Sequence, residues 1–199
     1  MKLVAIVGTN SDRSTNRKLL KFMVKHFSDL ADIEILEIKD LPAFNEPEDK
    51  LAPVPVADFS QRIANADGVI IATPEYDHTI PAPLASALEW IAYTSRVLIN
   101  KPTMIVGASL GALGTSRAQA HLRQILDAPE LKARIMPGTE FFLGHSAQIL
   151  DDNFNLNNPE KVAELEEHFK EFQSFVTISN QMVSQADTDR KRTFAWDVN

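Results

Sequence analysis

Three short runs in this chain are apolar on nearly every residue: KLVAIVG at 2–8, DGVIIA at 67–72 and PTMIVGAS at 102–109. Strands covered on both faces read this way, because neither side of the pleat meets water. Ile33, Ile35, Leu36 and Ile38, with Glu34 and Glu37 between, predict a further strand, and Ile135 to Leu143 a fifth. Helical spacing fills the intervals. Leu19, Leu20, Met23, Val24 and Phe27 follow Ser14; Phe59, Ile63 and Ala66 mark a short helix; Pro83 to Ile91 and Thr115 to Leu126 supply two more. Asn158 and Pro159 read as an N-cap and an N1 proline. They open a long amphipathic helix through Val162, Leu165, Phe169, Phe172 and Val176, interrupted at Ser179 and resuming at Val183.

Strand and helix thus alternate five times. That pattern predicts an α/β three-layer sandwich, with right-handed crossovers and a five-stranded parallel sheet. The expected strand order is 2-1-3-4-5, with a ligand beyond the strand carboxyl ends at the switch point. Residues 1–186 read as a single domain and 187–199 as a tail. The tail, DTDRKRTFAWDVN, sets Phe194 and Trp196 among polar residues, either as an unstructured end or docked on a neighbouring subunit.

In that strand order, the loops after strands one, three and four converge on one crevice. They are GTNSDRSTN, TPEYDHTIPAP and ASLGALGTS, the three most unusual connections in the chain. The first surrounds Arg13 with Thr9, Asn10, Ser11, Ser14, Thr15 and Asn16 and opens a helix, where free N–H groups and the helix dipole favour a phosphate. Simple capping by Ser14 or Thr15 is the alternative. Neither G-x-G-x-x-G nor G-x-x-x-x-G-K-[ST] is present, which argues against a Rossmann dinucleotide site and a nucleoside triphosphate site. The second loop is stiffened by Pro74, Pro81 and Pro83 and carries the ring of Tyr76. The third is small and glycine-spaced, allowing close approach of a flat ligand. Together they suit a planar heterocycle with a phosphate tail, which FMN fits.

Composition narrows the partners. A net charge of −7 argues against a general nucleic-acid binder. The absence of cysteine removes disulfides and thiolate chemistry and fits a reducing cytoplasm. No leader or membrane-length apolar run is evident, so a soluble cytoplasmic protein is expected. None of the five histidines has ligand spacing with another, and no metal site is expected. The paired acids Asp151-Asp152 and Glu166-Glu167 read as solvated charges.

The motifs themselves resemble one family. GTN with S-T-N-R-K-L at 8–19, DLPAFNE at 40–46, PEYDHTIPAPLASALEW at 74–90 and KPTMIVGASLGALGTSRAQAHLRQIL at 101–126 are similar to the NADPH-dependent FMN reductase family of flavodoxin-like flavoproteins. That family includes azo-, quinone- and chromate-reducing members. The resemblance implies a flavodoxin-like fold, FMN and NADPH as cofactors, and a small-molecule electron acceptor. By resemblance the FMN phosphate falls to Thr9, Ser14 and Asn16, with Ser11, Arg13 and Thr15 as helpers. Pro74, Glu75, Tyr76 and Asp77 would face the isoalloxazine, and Ser109, Gly111 and Gly114 would line its edge. The resemblance further implies ping-pong kinetics: NADPH reduces the flavin and leaves, and an acceptor then takes the electrons. The cofactor carries the chemistry, so no catalytic side chain is expected.

Three departures stand out. The arginine sits late in the first loop, at Arg13. Asp77 replaces an asparagine, placing an acid near the ring or merely capping the turn through the Thr79 amide. Ala112 and Thr115 occupy positions where glycines are common. The proline-rich stretch Lys39 to Val56 implies, by the same resemblance, a subunit interface beside the flavin and hence a homodimer or homotetramer; a plain surface loop is the alternative. A flavodoxin-like electron carrier serving a protein partner, or a fold relative without flavin, remain rival readings.

Overall fold

The computed structural model describes residues 1–138 and 140–182. The expectations for Val183 and for the tail lie outside them. Twelve elements follow in order: β1 (Lys2–Val7), α1 (Thr15–His26), β2 (Asp32–Glu37), α2 (Val54–Asn65), β3 (Gly68–Ala72), α3 (Ala82–Thr94), β4 (Pro102–Ala108), α4 (Ser116–Leu126), β5 (Arg134–Ile135), β6 (Phe141–Leu143), α5 (Ser146–Ile149) and α6 (Pro159–Gln181). Among the described residues, no helix is long and apolar enough to cross a membrane.

The sheet has the order β2-β1-β3-β4-β5, with β6 also on β4, and every pairing is parallel. Side chains alternate across it, so each central strand feeds two cores. Leu3, Ala5, Val7, Ile70, Met104 and Val106 meet α1 and α6, including Leu20, Phe169 and Phe172. Val4, Ile6, Val69, Ile71 and Ile105 meet α2, α3 and α4. β3 and β4 are buried at every residue, as their composition predicts. β2 is an edge strand, and accordingly carries Asp32, Glu34 and Glu37 among its apolar residues.

The fifth strand differs from expectation. Instead of one segment from Ile135 to Leu143, two short pieces share the outer edge of β4, with Thr103↔Ile135 and Val106↔Phe141 in register. Between them Pro137 lacks an N–H, and Gly138 takes a φ of 77° that leaves the strand. The acid pair at 151–152 also differs. Asp151 accepts from the Asn153 and Asn155 amides and from both the Asn155 and Asn157 side chains. The Asn155 amide, then its side chain, do most to hold this carboxyl down to about 2. Asp151 therefore shapes a turn, whereas Asp152 is solvated and pairs with Lys18.

The long proline stretch is tied down within the chain. Trp90 Nε1 donates to the Pro42 carbonyl at 2.8 Å, and the Phe44 amide donates to Ser86 Oγ at 2.8 Å. Phe44 also sits edge-on to both Trp90 and Tyr93.

Thr115 occupies left-handed backbone at φ 71°, a costly conformation for a β-branched residue. Its Oγ1 packs where β4 has no side chain: a Cβ on Gly107 would lie 1.7 Å from that oxygen. The buried Gln119 amide then ties Thr115 Oγ1, the Gly114 carbonyl and the Phe141 carbonyl together. Gly107→Ala should therefore lower the unfolding free energy by about 1–3 kcal/mol or more through overpacking. Urea denaturation reads this directly; stability equal to wild type would mean that Thr115 moves aside freely.

Candidate functional site

The loops after β1, β3 and β4 meet as their positions in the sheet require. A cavity of about 360 Å³ is lined by Arg13, Ser14, Thr15 and Asn16, by Pro74, Glu75 and Tyr76, and by Ala108 to Gly111. Nine of the thirteen expected residues line it. The other four, Thr9, Ser11, Asp77 and Gly114, lie outside that lining.

In the first loop the expected residues divide by what their polar atoms already hold. Ser14 Oγ accepts from the Arg17 amide at 3.1 Å, which makes it the N-cap of α1. Asn16 is buried and spends its amide on backbone, donating to the Ala108 carbonyl at 2.9 Å and accepting from the Ala108 amide at 2.8 Å. Thr15 Oγ1 donates to the same carbonyl. Buried Thr9 accepts from the Ser11 amide and shares a 3.4 Å contact with Tyr76 Oη, so it braces two loops from beneath. The amides of Asp12, Arg13, Ser14, Thr15 and Asn16, by contrast, find no acceptor among the described residues. Exposed Arg13 makes no ion pair among them either. Five open N–H groups, a helix N-terminus and a cation in one loop suit a phosphate.

The second loop is a tight hairpin. Tyr76 and Thr79 exchange both backbone hydrogen bonds at 3.0 Å, with Asp77 and His78 left-handed between them at φ 50° and 67°. That places Asp77 at an exposed tip. The Thr79 amide is taken by the Tyr76 carbonyl, so the alternative role for Asp77, capping that amide, is not realised. Nor does Asp77 line the cavity. Tyr76 is 48% exposed and offers its ring at the rim. His121, expected on the open face of α4, hydrogen-bonds Thr79 Oγ1 and pins the hairpin.

Glu75 does something the sequence did not announce. Its side chain is only 9% exposed. Oε1 takes Arg117 Nε and Nη2, each at 2.6 Å. Oε2 takes the Arg117 and Ala118 amides at 3.1 and 3.3 Å. The carboxylate thus caps α4 across the crevice. Burial pushes its pKa up, but the Arg117 side chain, the Ala118 amide and the Arg117 charge outweigh that and hold it below the usual value.

In the third loop Ser109 Oγ donates to the Gly111 carbonyl and accepts from the Gly114 amide, which sets the loop's curve. Gly114, at φ 56°, packs on β6: a Cβ there would lie 2.6 Å from Phe142 Cβ. Gly111 is the opposite case. It lines the cavity, and a Cβ there would meet nothing within 4 Å. Protein packing therefore does not account for the missing side chain, and a flat group laid against the backbone would use that space. The cavity residues fit a phosphorylated planar heterocycle such as FMN. Arg17, Arg117 and His121 escaped sequence reasoning because their partners, Glu37, Glu75 and Thr79, lie 20, 42 and 42 residues away.

A depressed carboxyl contributes stability above the unfolded glutamate pKa, near 4.5, and loses it as pH falls through the lower folded value. Glu75→Gln should therefore destabilise the protein at pH 7 by about 1–2 kcal/mol, Arg117 being half-exposed and partly screened. The difference from wild type should close on acidification. A gap that stays constant throughout acidification would show that the Glu75 charge is not its source.

Comparison with known proteins carries this further. The sequence profile of NADPH-dependent FMN reductases matches residues 1–148. The chain is 55% identical over 197 residues to the NADH:(hydroxy)cinnamate reductase subunit CrdA of Vibrio ruber, covering 98% of each. It is 45% identical to NADH-dependent flavin reductase subunit 2 of Lactobacillus johnsonii, covering 88% of this chain and 97% of that one. The structure of FerB, a flavoenzyme NAD(P)H:(acceptor) oxidoreductase from Paracoccus denitrificans, superposes with a TM-score of 0.75 at 26% identity, covering 90% of this chain and 97% of that one. On this sheet, with three loops meeting at one cavity, the profile and the relatives settle the family: the chain belongs to the NADPH-dependent FMN reductases, oxidoreductases that pair FMN with a reduced nicotinamide.

Proposed function

We propose that the cavity holds FMN, with its phosphate on the amides of 12–16 and Arg13, and that the protein transfers electrons from a reduced nicotinamide to flavin, quinone, azo or similar small acceptors. The single observation that carries this is the joint lining of one cavity by the β1, β3 and β4 loops, with five open amides in the first. When bound, FMN supplies the two-electron chemistry, so the chain's own task is to bind, orient and shield. Tyr76 offers an aromatic wall at the rim. The Gly111 backbone leaves room for the ring's flat face, and the Glu75–Arg117 clasp keeps both loops at a fixed separation. Donor and acceptor share one cavity mouth in turn, which is the arrangement of a ping-pong reaction. A reduced nicotinamide donor fits the cytoplasmic location expected from the sequence.

The family is named for NADPH, whereas the two relatives above are named for NADH, so NADH is the donor to examine first. Both relatives are also named as subunits. Leu110 and Leu113 in the third loop are 68% and 53% exposed, an unusual lip for a site that meets only small solutes. A second reading follows: an FMN-bearing subunit that hands electrons to a partner protein. For the protein alone we propose a homodimer or homotetramer. Light scattering at micromolar concentration should show at least two copies per particle, and a monomer would favour the hetero-subunit reading.

The purified protein should show flavin absorbance that bleaches on adding NADH or NADPH without oxygen. With a quinone or free flavin as acceptor, double-reciprocal plots should then be parallel. Intersecting lines would overturn the ping-pong scheme. A bleached flavin that passes electrons to no small acceptor would favour the carrier subunit.

A further inference from the structure

Arg17 is the best-connected charged side chain around the first loop, yet it points away from the cavity lining. It is 14% exposed. Nε and Nη2 donate to Glu37 Oε1 and Oε2 at 2.6 and 2.8 Å, a bidentate fork. Nη1 donates to the carbonyls of Ser11 and Asp12 at 2.7 and 3.2 Å. Glu37 is well placed for this. It closes β2 opposite Val7, the residue at which the chain leaves β1 for the loop.

The consequence comes from peptide geometry. In a planar trans peptide the carbonyl of one residue and the N–H of the next point in opposite directions. Drawing the Ser11 and Asp12 carbonyls onto Arg17 therefore turns the Asp12 and Arg13 amides the other way. Those amides begin the open row that runs to Asn16. Released, the same carbonyls could swing toward an anion and repel it. Two negative ends of peptide dipoles would then replace two positive ones.

We infer that Arg17, held by Glu37, is a positioning residue that sets the first loop for a phosphate without touching it. The inference rests on the flavin reading above. Charge alone would not do this. Lysine cannot span two carboxylate oxygens and two carbonyls at once. The nearby Lys39–Asp12 pair, at 2.5 Å, braces the same loop from the solvent side, but both side chains are well exposed and such pairs contribute little.

The test compares FMN with riboflavin, which lacks the phosphate, by fluorescence titration of the flavin-stripped full-length protein. Arg17→Met and Glu37→Gln should weaken FMN roughly 10- to 100-fold, the range expected for losing one or two charge-assisted hydrogen bonds. Riboflavin affinity should stay within about threefold, so the preference for the phosphate collapses. Arg17→Lys, which keeps the charge, should behave like Arg17→Met. Equal losses for both ligands would reveal general damage to the fold and overturn the inference, as would wild-type FMN affinity in Arg17→Lys. Glu37→Gln leaves Arg17 in place and keeps the question open to measurement if the Arg17 variants do not fold. A wild-type protein with no preference for FMN over riboflavin would instead sink the phosphate reading itself, and this inference with it.

Discussion

The site depends on one carboxamide. β3 leaves the sheet after Ala72, whose register partner is Val106, but β4 runs on to Ala108. On that side the Ala108 N–H and C=O are buried with no strand beside them among the described residues. Asn16 takes the place of the absent strand, accepting from one and donating to the other at 2.8 and 2.9 Å. Leaving that pair unmet in the interior would cost about 1–3 kcal/mol per group. The same contact fastens the start of α1 to the end of β4, and so fixes the first loop against the third. Only an amide side chain offers a donor and an acceptor with the spacing of a peptide.

Two helices begin at this crevice, and the fold treats their positive ends differently. α4 is already neutralised: Glu75 reaches across from the second loop to its amides and to Arg117. α1 is capped only by the neutral Ser14 hydroxyl, leaving five amides and Arg13 without a partner among the described residues. The α1 end is therefore the one left open to an anion, while α4 anchors the second loop. Glu75 in the second loop is a structural counter-charge, whereas Arg13 in the first makes no ion pair among the described residues.

Legibility followed the range of the interaction. The apolar runs announced the central strands, because burial on both faces leaves no choice of residue. Asn158 and Ser14 announced helix starts, because a cap acts on amides two or three residues away. The split of the fifth strand was harder to read. Pro137-Gly138 is visible, but that both pieces return to the same edge of β4 depends on β4's own length. Thr115, at a position where glycine is common in the resembled family, shows the converse. Its left-handed backbone is tolerated because Gly107, eight residues earlier on β4, leaves a hole for its hydroxyl.

The sequence by itself determined the layer architecture, the strand order and which three loops would meet, since periodicity and connection handedness leave few topologies. It also determined which residue types gather there, hydroxyls and a cation from one loop and an aromatic ring from another. Only the tertiary structure decided what each polar side chain there does. Thr9, Asn16, Glu75 and Ser109 spend their polar atoms on backbone and neighbouring loops, Asp77 stands at an exposed hairpin tip, and Arg17 sets amides that it does not itself contribute. The reason is physical. A hydrogen-bonding group near a crevice takes whichever partner the fold brings within about 3 Å, and that partner is settled by packing between segments far apart in the chain.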